Sequence, residues 1–265
     1  MVTSFCIGVP ASAHPFLKNP KKEKAYYEAF FVGLMDGDGS IQVNHWRQKV
    51  FQYRMVIKLK NTTANVQMLQ QLKVYLGIGH VVVSKNKAFV LWIEKSQKKM
   101  VCILALFEKY PPMTTRLNLQ LVFFKKWLQS PEDKKQITEY LTGREYKYKE
   151  RPALMQTLSS VSLETLDYFP GWFSGFVEAE GCFSLRRKST GFVSFSIGQR
   201  HDDYLLWAIH RFLGAQNKVR YLPSTNFYVL EVYRKSVLCF LKTHFIHYPL
   251  LGEKKLHFET FEKKI

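Results

Sequence analysis

FVGLMDGDG at Phe31–Gly39 and FSGFVEAEG at Phe173–Gly181 are one pattern written twice, 142 positions apart. Each is an apolar run that closes in acid, small residue, acid, glycine. A repeat of this kind sets the architecture before any local reading, because each copy heads its own structural unit. Small residues recur every four positions: Ala29, Gly33 and Gly37 in the first copy, Gly171, Gly175 and Ala179 in the second. Residues four apart share a helix face. Glycine inside a helix costs about 1 kcal/mol against alanine, and close packing of two backbones along a small-residue stripe offsets it. Ala29, Gly33, Gly171 and Gly175 are therefore expected at the interface of two motif helices.

Helices packed in parallel by two-fold-like symmetry end together, each presenting the partial negative charge of its unpaired carbonyls. Asp38 and Glu180 stand at those ends. Two carboxylates there repel, or one keeps its proton. A bound divalent cation removes the conflict, and hard oxygen ligands suit magnesium. The expected metal site is Asp38 and Glu180 with their helix-end neighbours Gly37 and Ala179. Asp36 and Glu178, two residues earlier, point elsewhere and are assigned to capping or to contacts within the interface. A calcium-binding loop starting at Asp36 fails on count, since its sixth position is Ile41 rather than glycine and its twelfth is Arg47 rather than glutamate.

Outward from the motifs the halves keep matching. Alternating runs follow each, Ser40–His45 and Cys182–Arg187, then Phe51–Leu59 and Phe192–Gln199, all read as strands. Helical stretches come next, Thr62–Leu76 and Asp202–Leu213, with Thr62 and Asp202 as N-caps and Gly77 and Gly214 as stops. Two shorter strands, a helix ending in Tyr-Pro and a last helix near Arg116 or Lys254 complete each half. The predicted fold class is α+β, with two pseudo-symmetric αββαββα subdomains. The predicted organisation is an N-terminal extension over 1–24, a first repeat over 25–129, a linker over 130–166 and a second repeat over 167–265. The charged stretch Ser130–Thr165, broken by Pro131, Gly143 and Pro152, reads as a surface linker with a helical turn or two.

Composition agrees with a polyanionic partner. The chain has 265 residues, 46% of them hydrophobic, enough for a large core. Net charge is +18, from 39 basic and 21 acidic residues spread over the whole length. No apolar run is long enough to span a bilayer, so no membrane partner is expected. The N-terminus lacks the order of a secretion signal, while the absence of any acid before Glu23 leaves a cleaved organelle-import peptide open. Cys6, Cys102, Cys182 and Cys239 lack paired metal spacing, which points to reduced thiols in an intracellular setting, with Cys102 and Cys239 as small core residues.

FVGLMDGDG and FSGFVEAEG, each opening an αββαββα unit in a basic chain, resemble the signature of the LAGLIDADG homing endonucleases in their single-chain, two-repeat form. The resemblance covers roughly Tyr26–Leu128 and Tyr168–Lys264. It implies motif helices packed at the subdomain interface, last acids that bind the catalytic metal, and antiparallel sheets forming a saddle in the DNA major groove. By position it assigns Asp38 and Glu180 as catalytic metal ligands. It also places Lys254 and Arg116 beside the scissile phosphates, and Gln199 at the end of a strand near the active site. Leu59 fills the place matching Gln199 and Arg116 stands where lysine is commoner, so the half-sites are expected to be unequal.

The resemblance further implies magnesium-dependent cleavage of both strands of a duplex, leaving 3′ overhangs, by a monomer encoded in an organellar intron and located in mitochondria. Calcium is expected to bind without supporting cleavage. Polar alternates on the strand faces are the expected DNA contacts: Gln42, Asn44, Trp46, Arg54 and Lys58 in the first half, and Ser184, Arg186, Lys188, Ser194, Ser196 and Arg220 in the second. Amides suit adenine and arginine suits guanine. Two linked half-sites span about 20 base pairs, and unlike faces imply an asymmetric target. The alternatives on the same fold are an RNA-binding maturase, with host intron RNA as partner, and a non-catalytic DNA-binding regulator.

Overall fold

The computed structural model describes residues 19–129, 135–185 and 193–265. The first motif lies on helix α1 (Pro20–Asp38), which starts inside the segment read as an extension. Asn19 caps it by accepting from the Lys21 amide at 3.0 Å, and Pro20 occupies the first turn, where its missing N–H costs nothing. Strands β1 (Gly39–Trp46) and β2 (Val50–Lys60) follow as a hairpin. Its tip holds Arg47 and Gln48 at φ 48° and 55°, the positive pair a tight hairpin turn demands. Helix α2 (Thr63–Leu76) is capped by the Thr62 hydroxyl and stopped by Gly77 in the left-handed region at φ 69°, as expected. Then come β3 (His80–Val83), β4 (Phe89–Glu94), α3 (Gln97–Lys109) and α4 (Thr115–Gln129).

The second motif lies on α7 (Phe169–Glu180), followed by β5 (Cys182–Leu185), β6 (Val193–Arg200), α8 (Asp203–Phe212), β7 (Arg220–Leu222), β8 (Phe227–Val232), α9 (Lys235–His247) and α10 (Glu253–Glu262). Each half forms a four-stranded antiparallel sheet, in the orders β1-β2-β4-β3 and β5-β6-β8-β7. The predicted α+β architecture with two matching subdomains is what the chain adopts. Apolar alternates such as Ile41, Val43, Tyr53, Met55, Phe195 and Ile197 turn inward onto the helices, leaving the opposite sheet faces open.

Between the repeats the chain is more ordered than its composition suggests. Where a linker with a turn or two is predicted, α5 (Lys135–Tyr146) and α6 (Arg151–Ser159) are full helices. Pro152 falls in the first turn of α6, a permitted position, and Gly143 is tolerated inside α5. Tyr140 of α5 is fully buried against Phe51 and Trp127 and donates its hydroxyl to the Val43 carbonyl at 2.7 Å. The cysteines also depart from expectation. Cys102 and Cys239 are exposed, because Met100, Ile103, Leu106 and Phe107 define the inner face of α3, and Val237, Leu238, Leu241 and Phe245 that of α9. No described helix is long and apolar enough to cross a membrane.

The halves exchange helix caps. Asp202, expected to cap α8, makes no cap bond there. Its buried carboxylate accepts instead from the Thr115 amide at 2.9 Å and the Thr115 hydroxyl at 2.6 Å, at the start of α4 in the other repeat. Reciprocally, Asn65 of the first repeat accepts from the Glu253 amide at 3.0 Å, at the start of α10. Asp202→Ala strands two buried donors, so a loss of about 1–3 kcal/mol is expected in urea unfolding; an unchanged midpoint would show that the crossed cap carries no load.

Candidate active site

Helices α1 and α7 pack against each other in parallel, with their small residues at the seam. A methyl added to Gly33 would lie 1.9 Å from the Trp172 carbonyl oxygen, and one added to Gly175 would lie 1.9 Å from that of Phe30. Lower down, a Cβ on Gly37 would meet the Ala179 methyl at 2.2 Å and the Glu180 Cγ at 3.3 Å. At the far end a Cβ on Gly171 would touch the Ala29 methyl at 3.0 Å. This contact brings the C-termini of both helices together and sets Asp38 close enough to Glu180 for their charges to interact.

The earlier acids of each motif fasten the last helices, the capping and interface role expected of them. Asp36 accepts from the amides of Met113 (2.7 Å) and Thr114 (3.0 Å), the Thr114 hydroxyl (2.6 Å) and Trp172 Nε1 across the seam (2.8 Å). Glu178 accepts from the amides of Leu251, Gly252 and Lys254 at 3.2, 3.1 and 2.9 Å. Burial pushes both carboxyls upward, and these donors pull them back. Helices α4 and α10 are thereby aimed so that Arg116 and Lys254 reach the motif-helix ends. The Arg116 guanidinium donates to the carbonyls of Gly39 (2.6 Å), Met35 (3.2 Å), Asp36 (2.6 Å) and Gly37 (3.0 Å). Lys254 Nζ donates to the Gly181 carbonyl. Each cation thus sits on the negative end of a motif helix.

Charge at the centre is strained. Asp38 is open to solvent on one side, yet the protein crowded around its carboxyl, together with Glu180, lifts it to about 7 against the pull of Lys254 and Arg116. Burial also raises Glu180, opposed first by Arg116 and then by Lys254. A carboxylate pair that resists full ionisation is the donor set a hard divalent cation relieves. Among the described residues no cluster of three or more acidic, histidine or cysteine side chains could hold a metal. Asp38 and Lys254 share a cavity of about 320 Å³ with Leu59, Lys60, Asn65, Glu178, Ala179, Glu253 and His257.

On the open face of the first sheet, Gln42 lies opposite Arg54 and Asn44 opposite Gln52. Arg54 Nε donates to Gln42 Oε1 at 3.0 Å, and Gln42 Nε2 donates to Ser40 Oγ at 2.9 Å, so these groups are held before any partner arrives. Trp46 is 58% exposed beside the hairpin tip, and the Lys58 ammonium lies 3.9 Å from the centre of the Phe89 ring. In the second sheet Ser184 and Ser196 are half-buried, while Ser194 is buried. Ser194 donates to Glu231 Oε1 at 3.0 Å, and Arg220 donates to Glu231 Oε2 at 3.3 Å. Arg186 and Lys188 lie outside the described residues. Gln199, half-buried, shares the inward side of β6 with Phe195 and Ile197. The sequence reading did not single out Gln52, which lies opposite Asn44 on the same strand as Arg54, or His257, one turn beyond Lys254, which lines the same cavity.

The motif sequences match the LAGLIDADG endonuclease family over residues 31–128 and 173–265. The chain belongs to that family. A probable intron-encoded endonuclease of Debaryomyces hansenii is 39% identical over 90% of this chain, which spans 38% of that longer relative. Counterparts in Dictyostelium citrinum and Dictyostelium discoideum are 38% and 36% identical, covering 88% and 92% of this chain and 93% and 99% of theirs. Among solved structures the LAGLIDADG meganuclease I-CpaMI bound to uncleaved DNA superposes with a TM-score of 0.65 at 17% identity, over 89% of this chain and 90% of that one. I-SmaMI bound to uncleaved DNA with calcium gives 0.66 at 19% identity, over 89% of each. The fold is therefore that of a two-repeat LAGLIDADG protein in a single chain.

Proposed function

We propose that this LAGLIDADG protein is a site-specific endonuclease that hydrolyses both strands of a long asymmetric duplex with magnesium, leaving 3′ overhangs. The observation that carries the reading is the acid pair at the joined ends of α1 and α7, under two cationic clamps and between two open sheet faces. Asp38 and Glu180 would hold the divalent cations. The chemistry such a cation supplies there is activation of water and neutralisation of phosphate charge. Lys254 and Arg116 fix positive charge where the pentavalent phosphate builds negative charge. Gln199 orients water on its side. Gln42, Asn44, Trp46, Arg54 and Lys58 meet the duplex from the first sheet, with Ser184, Ser196 and Arg220 from the second. Calcium, with its looser coordination, should bind without supporting cleavage. The names of the relatives favour an intron-encoded gene; an organellar intron and a mitochondrial site of action are the setting proposed with it.

Selection of cleaved molecules from a random duplex library with magnesium tests this. The cut molecules should share one asymmetric site of about 20 base pairs and carry 3′ overhangs. Cutting without site preference, or a cut confined to RNA, would refute it. The titration of Asp38 gives a second check. With its carboxyl pushed up to about 7, a proton occupies the ligand below that pH and must leave before a cation binds. Calcium affinity, measured by calorimetry, should therefore rise about fivefold from pH 6 to 7, reach about tenfold by pH 8 and level off above it. A flat profile would remove Asp38 from the ligand set.

A further inference from the structure

We propose that His257 is a catalytic residue for one strand, orienting water in the Asp38–Lys254 pocket as Gln199 does in the other; the inference rests on the nuclease reading above. The Asp38 pocket takes its acid from α1, Leu59, the penultimate residue of β2, from the same repeat, and Lys254 from α10 of the other repeat. The positions that match these in the second half are Glu180, Gln199, the penultimate residue of β6, and Arg116 of α4, whose charge acts on the Glu180 carboxyl. Three residues beyond the cation, His257 on α10 corresponds to Leu119 on α4. The polar group has moved: one set pairs leucine on the strand with histidine on the helix, the other glutamine on the strand with leucine on the helix.

Elimination leads to the same residue. Leu59 offers water no hydrogen bond. Glu178 is taken up by three amides. Asn65 accepts from the Glu253 amide and donates to the Lys60 carbonyl at 3.0 Å. Lys60 and Glu253 face each other at 3.8 Å, and Lys254 Nζ donates to the Gly181 carbonyl. His257 lines this cavity, is exposed, and among the described residues makes no hydrogen bond or ion pair. A neutral imidazole carries one donor and one acceptor, as a water-orienting group here requires.

The test uses a target duplex with a different label on each strand, in single-turnover cleavage with magnesium. His257→Ala should slow one strand by about 10²-fold, leave the other within about threefold and accumulate nicked duplex. Leu59→Gln in that background should restore the slow strand by putting the amide back on β2. In NMR spectra of the full chain, the His257 ring signals should shift on adding the duplex with calcium, when no cutting occurs. Equal slowing of both strands, no slowing of either, no rescue by Leu59→Gln in a folded double variant, or unmoved ring signals would each overturn the assignment. Wild-type protein that cuts neither strand while the ring signals still shift would overturn the nuclease reading instead.

Discussion

Asp38→Asn should hold the duplex as firmly as wild type and lose cleavage of either strand by more than about 10³-fold, since the chemistry forfeited is worth several kcal/mol and each 1.4 kcal/mol is tenfold. Two observations set the size. The carboxylate stands at the joined ends of two helices, so an amide there leaves Glu180 as the remaining acid of the pair. Nothing else near it substitutes, because Asp36 and Glu178 are committed to the amides that start α4 and α10. Binding should survive because the proposed contacts with the duplex lie on the sheet faces, and in metal-free buffer removing a negative charge from a phosphate site favours it. Gel-shift titration beside single-turnover cleavage measures both quantities. A variant that cuts at the wild-type rate would end the assignment.

Gly175→Ala should be among the most damaging single-methyl changes available in this chain. The new methyl would overlap the Phe30 carbonyl oxygen at 1.9 Å, and an α1 backbone cannot swing aside as a side chain can. Overpacking of this kind costs about 3 kcal/mol or more, a large share of a domain's stability. For a protein of this size that corresponds to a loss of roughly 6–12 °C in Tm. Gly143→Ala is the internal comparison. Its methyl would meet only the Phe123 ring edge at 3.4 Å, inside a helix where alanine is favoured, so stability should hold or rise by up to about 1 kcal/mol. Equal melting temperatures for the two variants would mean that the seam is not drawn tight by glycine.

Most of the fold was legible because it depends on short-range signals. Period-two runs marked the strands, Thr62 and Gly77 bracketed α2, and the doubled motif announced two matching units. The acid pair was legible for the same reason, since four-residue spacing of small residues predicts a seam and a seam puts residues 38 and 180 together. What stayed hidden depends on partners distant in sequence. Asp202 looks like an ordinary cap for its own helix, and only the fold reveals that it serves Thr115. The pocket beside Leu59 is assembled from five elements of two repeats, so the spacing of His257 from Lys254 says nothing by itself of the cavity both line. Cys102 and Cys239 were misplaced because apolar neighbours along the chain were taken for neighbours on one helix face. The helices α5 and α6 were obscured by a charged composition that suits a polar helix as well as a loop.

The exchanged caps bear on how such a protein can be rebuilt. The cavity beside Asp38 borrows its strand from one repeat and its final helix from the other, and the helix caps cross in both directions, so neither repeat is a portable module. Grafting a relative's second repeat onto this first one would import half of two mismatched machines, pairing a foreign helix with Leu59 and a foreign strand with Arg116. Transplants that carry the complementary set across the boundary, Leu59 with His257 and Asn65 with its amide, should keep both centres working.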